Sequence, residues 1–286
     1  MIVRNKRVIY LPDGSKKDLG NMLLTEFLDP ESYGSMRLWN YASSKLGYMF
    51  QTDPNGTMEK IRILGYEHLM AYLMWNYVNV TIRYVGDTES FRRADWWQLP
   101  SETEEWGTGD CEDSSFLLSS GLERIPNISY YCIIGYFLDQ GTYYGHAFVI
   151  FHNQELEKWL VLETTLDNEI SFFVGIPWDP DRYVPAVAFT RKEFLSMIIK
   201  SHRDKLGLSD EWYNRHCRAI RDMIDYILTG MKLDVKWMHK SRRPVRLNAD
   251  EVEVLPDRIK ALELLGMKGL TRLLNEEYRK LGIRLP

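Results

Sequence analysis

Three apolar, β-rich segments follow one another in the middle of the chain, at residues 128–138, 143–152 and 158–164. The second and third are almost continuously apolar, which is typical of strands that are covered on both faces. Short polar turns, at residues 139–141 and around Asn153, separate the segments. Because turns this short join antiparallel neighbours, the three segments predict an antiparallel meander.

Helical patterns precede the predicted sheet. Apolar residues recur at helical spacing over residues 58–83, and Thr57 stands where a cap would begin one long helix. A short helix is predicted over residues 111–124, where small serines permit close packing against neighbours. Helices packed on one antiparallel meander predict the α+β class.

The last part of the chain also has a helical pattern. Helix starts are predicted at Thr190 and Ser209, and a final pair of helices over residues 257–265 and 268–281. These C-terminal helices are a candidate surface for a protein partner.

Three regions are therefore expected, with the second boundary just after the proline-rich residues 177–185. Residues 1–85 form a mostly helical N-terminal region that packs on the core. Residues 86–188 form the core, and residues 189–286 form a helical extension.

Charge and hydropathy exclude several classes of protein. The formal net charge is −4, so no general basic field would attract nucleic acid or an anionic membrane surface. No segment approaches the run of about 18 uncharged apolar residues that a membrane span needs, and the N-terminus lacks an apolar run of signal-peptide length. Three separated cysteines form neither a disulfide framework nor a CxxC pair. We expect a cytoplasmic protein without nucleic-acid or membrane partners.

A cysteine stands at the predicted start of the short helix. Residues 107–113 read Gly-Thr-Gly-Asp-Cys-Glu-Asp, so a glycine-containing loop delivers Cys111 to the first helical turn. The first amides of a helix are unpaired donors with partial positive charge, and they stabilise a thiolate, the nucleophilic form of cysteine. The same amides are able to hold a developing oxyanion. Asp110, Glu112 and Asp113 would oppose thiolate formation if they pointed at the thiol.

A nucleophilic cysteine needs a base, and the base needs an orienting partner. His146 lies in the second predicted strand, and Glu163 lies at the end of the third. Neighbouring antiparallel strands place such residues side by side. The order Cys111, His146, Glu163 therefore predicts a catalytic triad on a helix start and two adjacent strands. The same residue types also bind zinc, so a zinc site is an alternative.

An aromatic-rich polar segment lies ahead of the cysteine, at residues 86–110, and contains Trp96, Trp97 and Trp106. A long loop inside a compact domain is more often functional than idle. We expect these rings either to form a wall of a substrate cleft or to cover the core. Trp97 is the candidate for a contact near the oxyanion.

Three separated motifs occur in order. Residues 95–97 read Asp-Trp-Trp, residues 100–103 read Pro-Ser-Glu-Thr ahead of the cysteine segment, and residues 145–147 read Gly-His-Ala. The chain from about residue 96 to residue 165 thereby resembles the transglutaminase-like cysteine protein superfamily, most closely its bacterial transglutaminase-like cysteine proteinases. The resemblance implies a papain-like core, in which a buried helix bearing the cysteine packs on an antiparallel sheet.

The same resemblance implies roles for particular residues. Cys111 is the nucleophile, His146 is the general base and acid, and the acid position falls on Glu163. The third family position is usually Asp, often followed by Pro-Thr, whereas this chain has Glu163 followed by two threonines. Asp167 is the alternative for this position.

Calcium is the one cofactor that the resemblance suggests, and none is required by the chemistry. Some relatives bind calcium through carboxylates that flank the nucleophile, and Asp110 and Glu112 match those positions. There they would also line the substrate and oxyanion site. Secreted members of the family carry signal peptides, so their periplasmic role is not expected of this chain.

The expected reaction is acyl transfer through a thioester on Cys111, which hydrolyses an amide or peptide bond of a protein or peptide substrate. If an amine outcompetes water, the enzyme is instead a transglutaminase-type acyltransferase that crosslinks or deamidates proteins. A second alternative is a catalytically silent binding or assembly module with the same fold.

Overall fold

The computed structural model describes residues 7–10, 16–20, 24–87, 89, 97–165 and 176–229. The chain divides into two compact units, one of Thr25–Glu193 and one of Met1–Leu24 with Phe194–Pro286. The predicted final pair of helices lies outside the described residues. Helices and an antiparallel sheet are both present, so the fold is of the α+β class.

The elements of the described residues are numbered in chain order. The strands are β1 (Arg7–Tyr10), β2 (Lys16–Gly20), β3 (Arg83–Tyr84), β4 (Thr108–Gly109), β5 (Ser129–Asp139), β6 (Thr142–Asn153), β7 (Lys158–Leu162), β8 (Ile176–Pro177), β9 (Tyr183–Phe189) and β10 (Phe194–Ser196). The helices are α1 (Tyr33–Thr52), α2 (Pro54–Leu64), α3 (Tyr66–Thr81), α4 (Pro100–Trp106), α5 (Cys111–Leu122), α6 (Lys200–Lys205) and α7 (Asp210–Thr229), and a 3-10 turn spans Leu24–Phe27.

The main sheet of the unit Thr25–Glu193 has the strand order β9-β5-β6-β7-β8 with antiparallel neighbours. Strands β5, β6 and β7 form the predicted meander, which is confirmed. Strand β9 was not predicted, because Pro185 lies within it. Pro185 stands opposite Gly135 beside a register shift in β5, and such an irregularity tolerates a residue that has no backbone N–H.

Two helices replace the single helix that was predicted over residues 58–83, so that prediction was wrong. Helix α2 begins earlier, where the Asp53 carboxylate accepts a hydrogen bond from the Gly56 amide at 2.9 Å. Asp53 is therefore its cap, and Thr57 lies buried within the helix. Gly65 then separates α2 from α3 with a φ of 87°, a left-handed value that favours glycine.

Helix α5 lies at the centre of this unit, where it packs on α1, α3, α4, β5 and β6. Its small residues permit close approach, as predicted. The Ser35 hydroxyl of α1 donates to the Ser120 carbonyl at 2.8 Å, and a side chain at Gly121 would clash with Leu38. The start of α5, which carries Cys111, is therefore held in a packed framework.

A helix start at Thr190 was predicted, and the prediction is wrong. The Thr190 hydroxyl accepts hydrogen bonds from the amides of Lys192 and Glu193, which closes a turn, and the chain does not become helical there. The capping pattern was present in the sequence, but it closes a single turn rather than a helix.

The second unit contains the antiparallel pair β1–β2 and the elements from β10 to α7. The predicted start at Ser209 is confirmed, since its hydroxyl accepts a hydrogen bond from the Trp212 amide at 3.1 Å. Helix α7 buries one face that includes Trp212, Ile220 and Ile224. Among the helices that the structure describes, none combines the length and apolarity needed to cross a bilayer.

Candidate active site

Cys111 is the first residue of helix α5, as predicted. The two residues of β4 lead into it, and they pair in parallel with β3, so that Tyr84 lies opposite Gly109. The Val85 amide donates to the Gly109 carbonyl at 3.0 Å. A Cβ at Gly109 would lie 2.7 Å from the Cβ of Asp113, so only glycine fits this approach to the helix.

The thiol of Cys111 is half-buried and has two polar neighbours. Its Sγ donates to Glu112 Oε2 over 3.3 Å. It is also close enough to the imidazole of His146 to raise the pKa of that histidine. The thiol therefore contacts a carboxylate and lies within electrostatic reach of a candidate base.

The ladder between β6 and β7 brings His146 and Glu163 together. Val149 pairs with Leu162, so the next residue of the chain, Glu163, comes level with Phe148 and diagonal to His146. His146 Nε2 lies 2.8 Å from Glu163 Oε2. The Phe148 ring stacks near the imidazole, with ring centres 6.0 Å apart.

The Glu163 side chain and backbone are both held. Its Oε1 accepts hydrogen bonds from the Thr165 amide at 3.0 Å and the Thr165 hydroxyl at 2.7 Å. Trp75 Nε1 of α3 donates to the Glu163 carbonyl at 2.6 Å. Burial and the charge of Glu163 raise the pKa of Tyr183 on β9. One carboxylate oxygen is thereby left for His146.

Burial and charge set the protonation of this pair. Burial of the imidazole lowers the pKa of His146, but the Glu163 carboxylate and the Cys111 thiol outweigh it and raise the pKa to about 10 from 6.5. Burial raises the pKa of Glu163, but His146 and Thr165 outweigh it, so that the pKa lies below its usual value. The site therefore favours an imidazolium beside an ionised carboxylate.

The structure thus brings Cys111, His146 and Glu163 to one site, where His146 hydrogen-bonds Glu163 and is influenced by the charge of Cys111. None of the described clusters whose ligand atoms lie within 4.8 Å of one another contains His146. The zinc alternative therefore has no support among the described residues.

Four carboxylates surround the start of α5. Ligand atoms of Asp110, Cys111 and Glu112 lie within 4.8 Å of one another, and so do those of Asp87, Asp110 and Asp113. Asp113 is fully buried, and it accepts hydrogen bonds from the amides of Gln98 at 2.6 Å and Asp110 at 3.3 Å. Burial and the charge of Asp110 raise the pKa of Asp113 well above its usual value. Burial also raises the pKa of Asp110.

The tryptophans of the aromatic-rich segment lie in different surroundings. Trp97 is 4% exposed and packs edge-on against Phe27 and Phe116 in the core. Trp106 is exposed at the end of α4. Trp96, and Asp167 as the alternative acid, lie outside the described residues. The role of Trp97 near the oxyanion remains a prediction.

Several residues near the site were not singled out from the sequence. Tyr84 and Asp87 reach it through the two-residue pairing of β3 with β4, which leaves no periodic signal. Tyr183 lies near the site on β9, which was not predicted because the strand contains a proline. Thr165 follows Glu163 by two residues, and its contact could have been anticipated from the common binding of a side-chain oxygen to a nearby amide.

Comparisons with known proteins give only distant likenesses. No family model matches the chain, and no curated protein matches it either. The solved structures that align include Legionella pneumophila LapG in a calcium-bound form, at 16% identity and a TM-score of 0.34, covering 55% of this chain and 88% of that one. A second LapG structure aligns at 16% identity and a TM-score of 0.33, and an EGTA-treated one at 17% identity and a TM-score of 0.34. Each alignment covers 60% of this chain and 96% of the LapG chain. At these scores, the function has to be argued from the residues of the chain itself.

Proposed function

We propose that this protein is a cysteine-dependent hydrolase of amide or peptide bonds with a papain-like active site. The observation that carries the proposal is the position of His146, whose Nε2 lies 2.8 Å from the Glu163 carboxylate and whose pKa is raised by the charge of the nearby Cys111. A nucleophile, a base and an orienting acid in this order form the minimal unit of thiol acyl transfer. The motif resemblance to transglutaminase-like cysteine proteinases supports the same roles.

In the first half-reaction, the Cys111 thiolate attacks the substrate carbonyl carbon, and the carbonyl oxygen takes the negative charge. The amine departs with the proton that His146 gives up, and a thioester remains on Cys111. In the second half-reaction, neutral His146 takes a proton from water, which attacks the thioester. The carboxylic acid leaves, and the thiolate and imidazolium are restored.

The oxyanion would form at the N-terminus of α5. The first amides of a helix have no partner within it, and they point along the positive end of the helix dipole. The Asp113 carboxylate accepts a hydrogen bond from the amide of Asp110, the residue that precedes the helix. The amides of the first turn of α5 are therefore the proposed donors to the oxyanion.

Calcium is a candidate structural ion beside this site. The carboxylates of Asp87, Asp110 and Asp113 converge within 4.8 Å, and Asp110 Oδ1 is buried without a hydrogen-bond partner. Oxygen donors in such a cluster suit a hard divalent cation. Bound there, calcium would offset the mutual repulsion of the carboxylates and fix the start of α5, and it would take no part in the reaction.

The proposal is tested by the rate at which iodoacetamide alkylates Cys111 at neutral pH. The background has Cys132 and Cys217 replaced by alanine, so that one thiol reports. Because an ordinary thiol is only a few per cent ionised at neutral pH, we expect His146→Ala to slow alkylation by about tenfold or more. His152→Ala, on the same strand, is the matched control and should leave the rate unchanged.

Two results would count against the proposal. If folded protein alkylates no faster than a free thiol and His146→Ala has no effect, the chain is better explained as a silent binding module. If the thiol is reactive and the protein incorporates an amine into casein instead of hydrolysing it, the acyltransferase alternative replaces the hydrolase.

A further inference from the structure

The sheet continues beyond His146 as a surface of three aromatic residues, Phe137, Tyr144 and Tyr183, which we call the aromatic floor. Phe137 stands opposite Tyr144 in the ladder of β5 with β6, and opposite Tyr183 in the ladder of β5 with β9. Gly135, two residues before Phe137, stands opposite His146. Because residues two apart on a strand share a face, the floor and His146 lie on the same face of the sheet.

The aromatic floor adjoins the imidazole and is open at its edge. The centre of the Phe137 ring lies 6.2 Å from that of His146 and 5.1 Å from that of Tyr183. Tyr183 is buried, whereas Phe137 is half-buried and Tyr144 is 44% exposed. Gly145, which separates Tyr144 from His146 in the chain, is exposed as well. A ligand bound at His146 can therefore extend over the floor.

An arginine lies over part of this floor. Arg182 ends the turn before β9, where its amide donates to the Asp179 carbonyl at 3.1 Å and its carbonyl accepts from the Leu138 amide at 2.7 Å. Its guanidinium carbon lies 4.8 Å from the centre of the Phe137 ring, and this cation–ring contact keeps the charge on the side of His146. Arg182 is exposed, and within the described ranges no carboxylate forms an ion pair with it.

The position of His146 indicates which part of a substrate would meet this arginine. A general acid faces the amine that leaves, because it gives that amine its proton. The floor beyond His146 is thus on the leaving-group side of the scissile bond. An extended chain advances about 3.3–3.6 Å per residue, so a guanidinium one aromatic ring away from the imidazole is within reach of the first few residues after that bond.

A guanidinium presents its N–H donors in a planar fork that matches a carboxylate. We propose that Arg182, held by the Phe137 ring, is a specificity-determining residue that binds an aspartate or glutamate side chain on the leaving-group side of the substrate. This inference rests on the proposed function, because it assigns a substrate class to the same Cys111 site.

The experiment measures how fast Cys111 reacts with two aromatic disulfides of different charge. Dithiobis(nitrobenzoate) carries a carboxylate on each ring, and dithiodipyridine is uncharged. The Cys111 thiolate attacks one sulfur, the S–S bond of the reagent breaks, and a coloured aryl thiolate leaves with the electron pair. Both halves of a reagent are identical, so the half that lies beyond His146 carries the carboxylate in either orientation.

The full chain is used with Cys132 and Cys217 replaced by alanine, so that one thiol reports. The ionic strength is low, because salt screens exposed charges. Each rate is divided by the rate of the same reagent with 2-mercaptoethanol, which removes the intrinsic difference between the two disulfides.

We expect Arg182→Gln to lower the normalised rate of the anionic disulfide about two- to fivefold, the range of an exposed ion pair, and to leave the neutral rate unchanged. Arg182→Lys should retain part of the anionic rate because it keeps the charge without the planar fork. Arg182→Glu should lower the anionic rate further. Arg62→Gln is the control for the loss of one positive charge, at an exposed arginine of α2 that pairs with Glu59.

The outcomes separate this inference from the proposed function. If both disulfides react rapidly and Arg182→Gln leaves the ratio of their rates unchanged, or slows both alike, the subsite is wrong and the reactive thiol stands. An equal effect of Arg62→Gln would likewise refute the subsite, since net charge alone would then explain the result. If Cys111 of folded protein reacts with neither disulfide, the subsite and the proposed function both fail.

Discussion

His146 Nε2 and Glu163 Oε2 lie 2.8 Å apart, and the second Glu163 oxygen is held by the amide and hydroxyl of Thr165. Glutamate is one methylene longer than the aspartate usual at this position of the family that the motifs resemble. The Thr165 contacts fix that longer side chain, so that one oxygen faces the imidazole. Glu163 therefore has the geometry of an orienting acid without further rearrangement.

The first prediction concerns the charge of this acid. Glu163→Gln should slow alkylation of Cys111 by about tenfold, since an uncharged amide no longer stabilises the imidazolium and one pKa unit of His146 corresponds to a factor of ten. Glu163→Asp should recover part of the rate because it keeps the charge at a greater distance. Glu155→Gln, an exposed glutamate in the turn after β6, is the control. An unchanged rate in Glu163→Gln would exclude this role.

The second prediction concerns pH and stability. The pKa of His146 is raised in the folded state from 6.5 to about 10, so its contribution to stability is complete below pH 6.5 and is lost as the pH rises toward 10. The pKa of Glu163 is lowered from 4.5, so its contribution is present above pH 4.5 and is lost as the pH falls below it. Urea unfolding should show the largest difference between wild type and His146→Gln from pH 4.5 to 6.5, and a shrinking difference toward pH 10. A difference that grows with pH would contradict the ion pair.

The third prediction concerns Gly135, which lies opposite His146 in the sheet. A Cβ there would lie 2.1 Å from the Val184 carbonyl oxygen and 2.9 Å from the Ala186 nitrogen. Gly135→Ala should therefore lower the free energy of unfolding by about 3 kcal/mol, as overpacking against backbone does. Gly47→Ala is the control, because nothing lies within 4 Å of its Cβ and alanine in a helix interior should stabilise by about 0.5–1 kcal/mol. Equal effects of the two substitutions would contradict the close approach of β5 and β9.

The fourth prediction concerns calcium. If Asp87, Asp110 and Asp113 hold the ion, calcium at about a hundred times its Kd should stabilise the fold by about 2.7 kcal/mol, which a melting curve detects. Asp87→Asn should abolish the shift in Tm, and isothermal titration calorimetry should lose the binding heat. Asp139→Asn, on the exposed end of β5, should retain both. A shift that survives in Asp87→Asn would place the ion elsewhere.

Local pattern was sufficient to predict the meander of β5, β6 and β7 and the three candidate catalytic residues. Continuous apolar segments separated by short turns predict neighbouring strands, and neighbouring strands predict the contact of His146 with Glu163. The break at Gly65 was missed because helical periodicity continues on both sides of it, and a positive φ is not visible in that periodicity. A glycine inside a helical pattern is tolerated more often than it ends a helix.

Contacts that depend on backbone pairing between distant segments could not be predicted from the sequence. Asp87 and Tyr84 reach the nucleophile through a two-residue parallel pairing, which is too short to leave a pattern. Strand β9 supplies Tyr183, but Pro185 argues locally against any strand, and only the irregular register opposite Gly135 makes it acceptable. At Thr190 the sequence predicted a cap that the structure does contain, since the Thr190 hydroxyl accepts hydrogen bonds from two following amides. The helix that this cap should begin is absent, and the bonds close a turn instead.

The bond from Trp75 to the Glu163 carbonyl joins residues 88 positions apart. Closing a loop of that length is slow compared with forming a helix or a hairpin. The helix start that bears Cys111 can therefore form early. Glu163 becomes aligned only when α3 has docked against the finished sheet. The activation proposed for Cys111 is therefore expected only late in folding, and until then its thiol should react no faster than an ordinary cysteine.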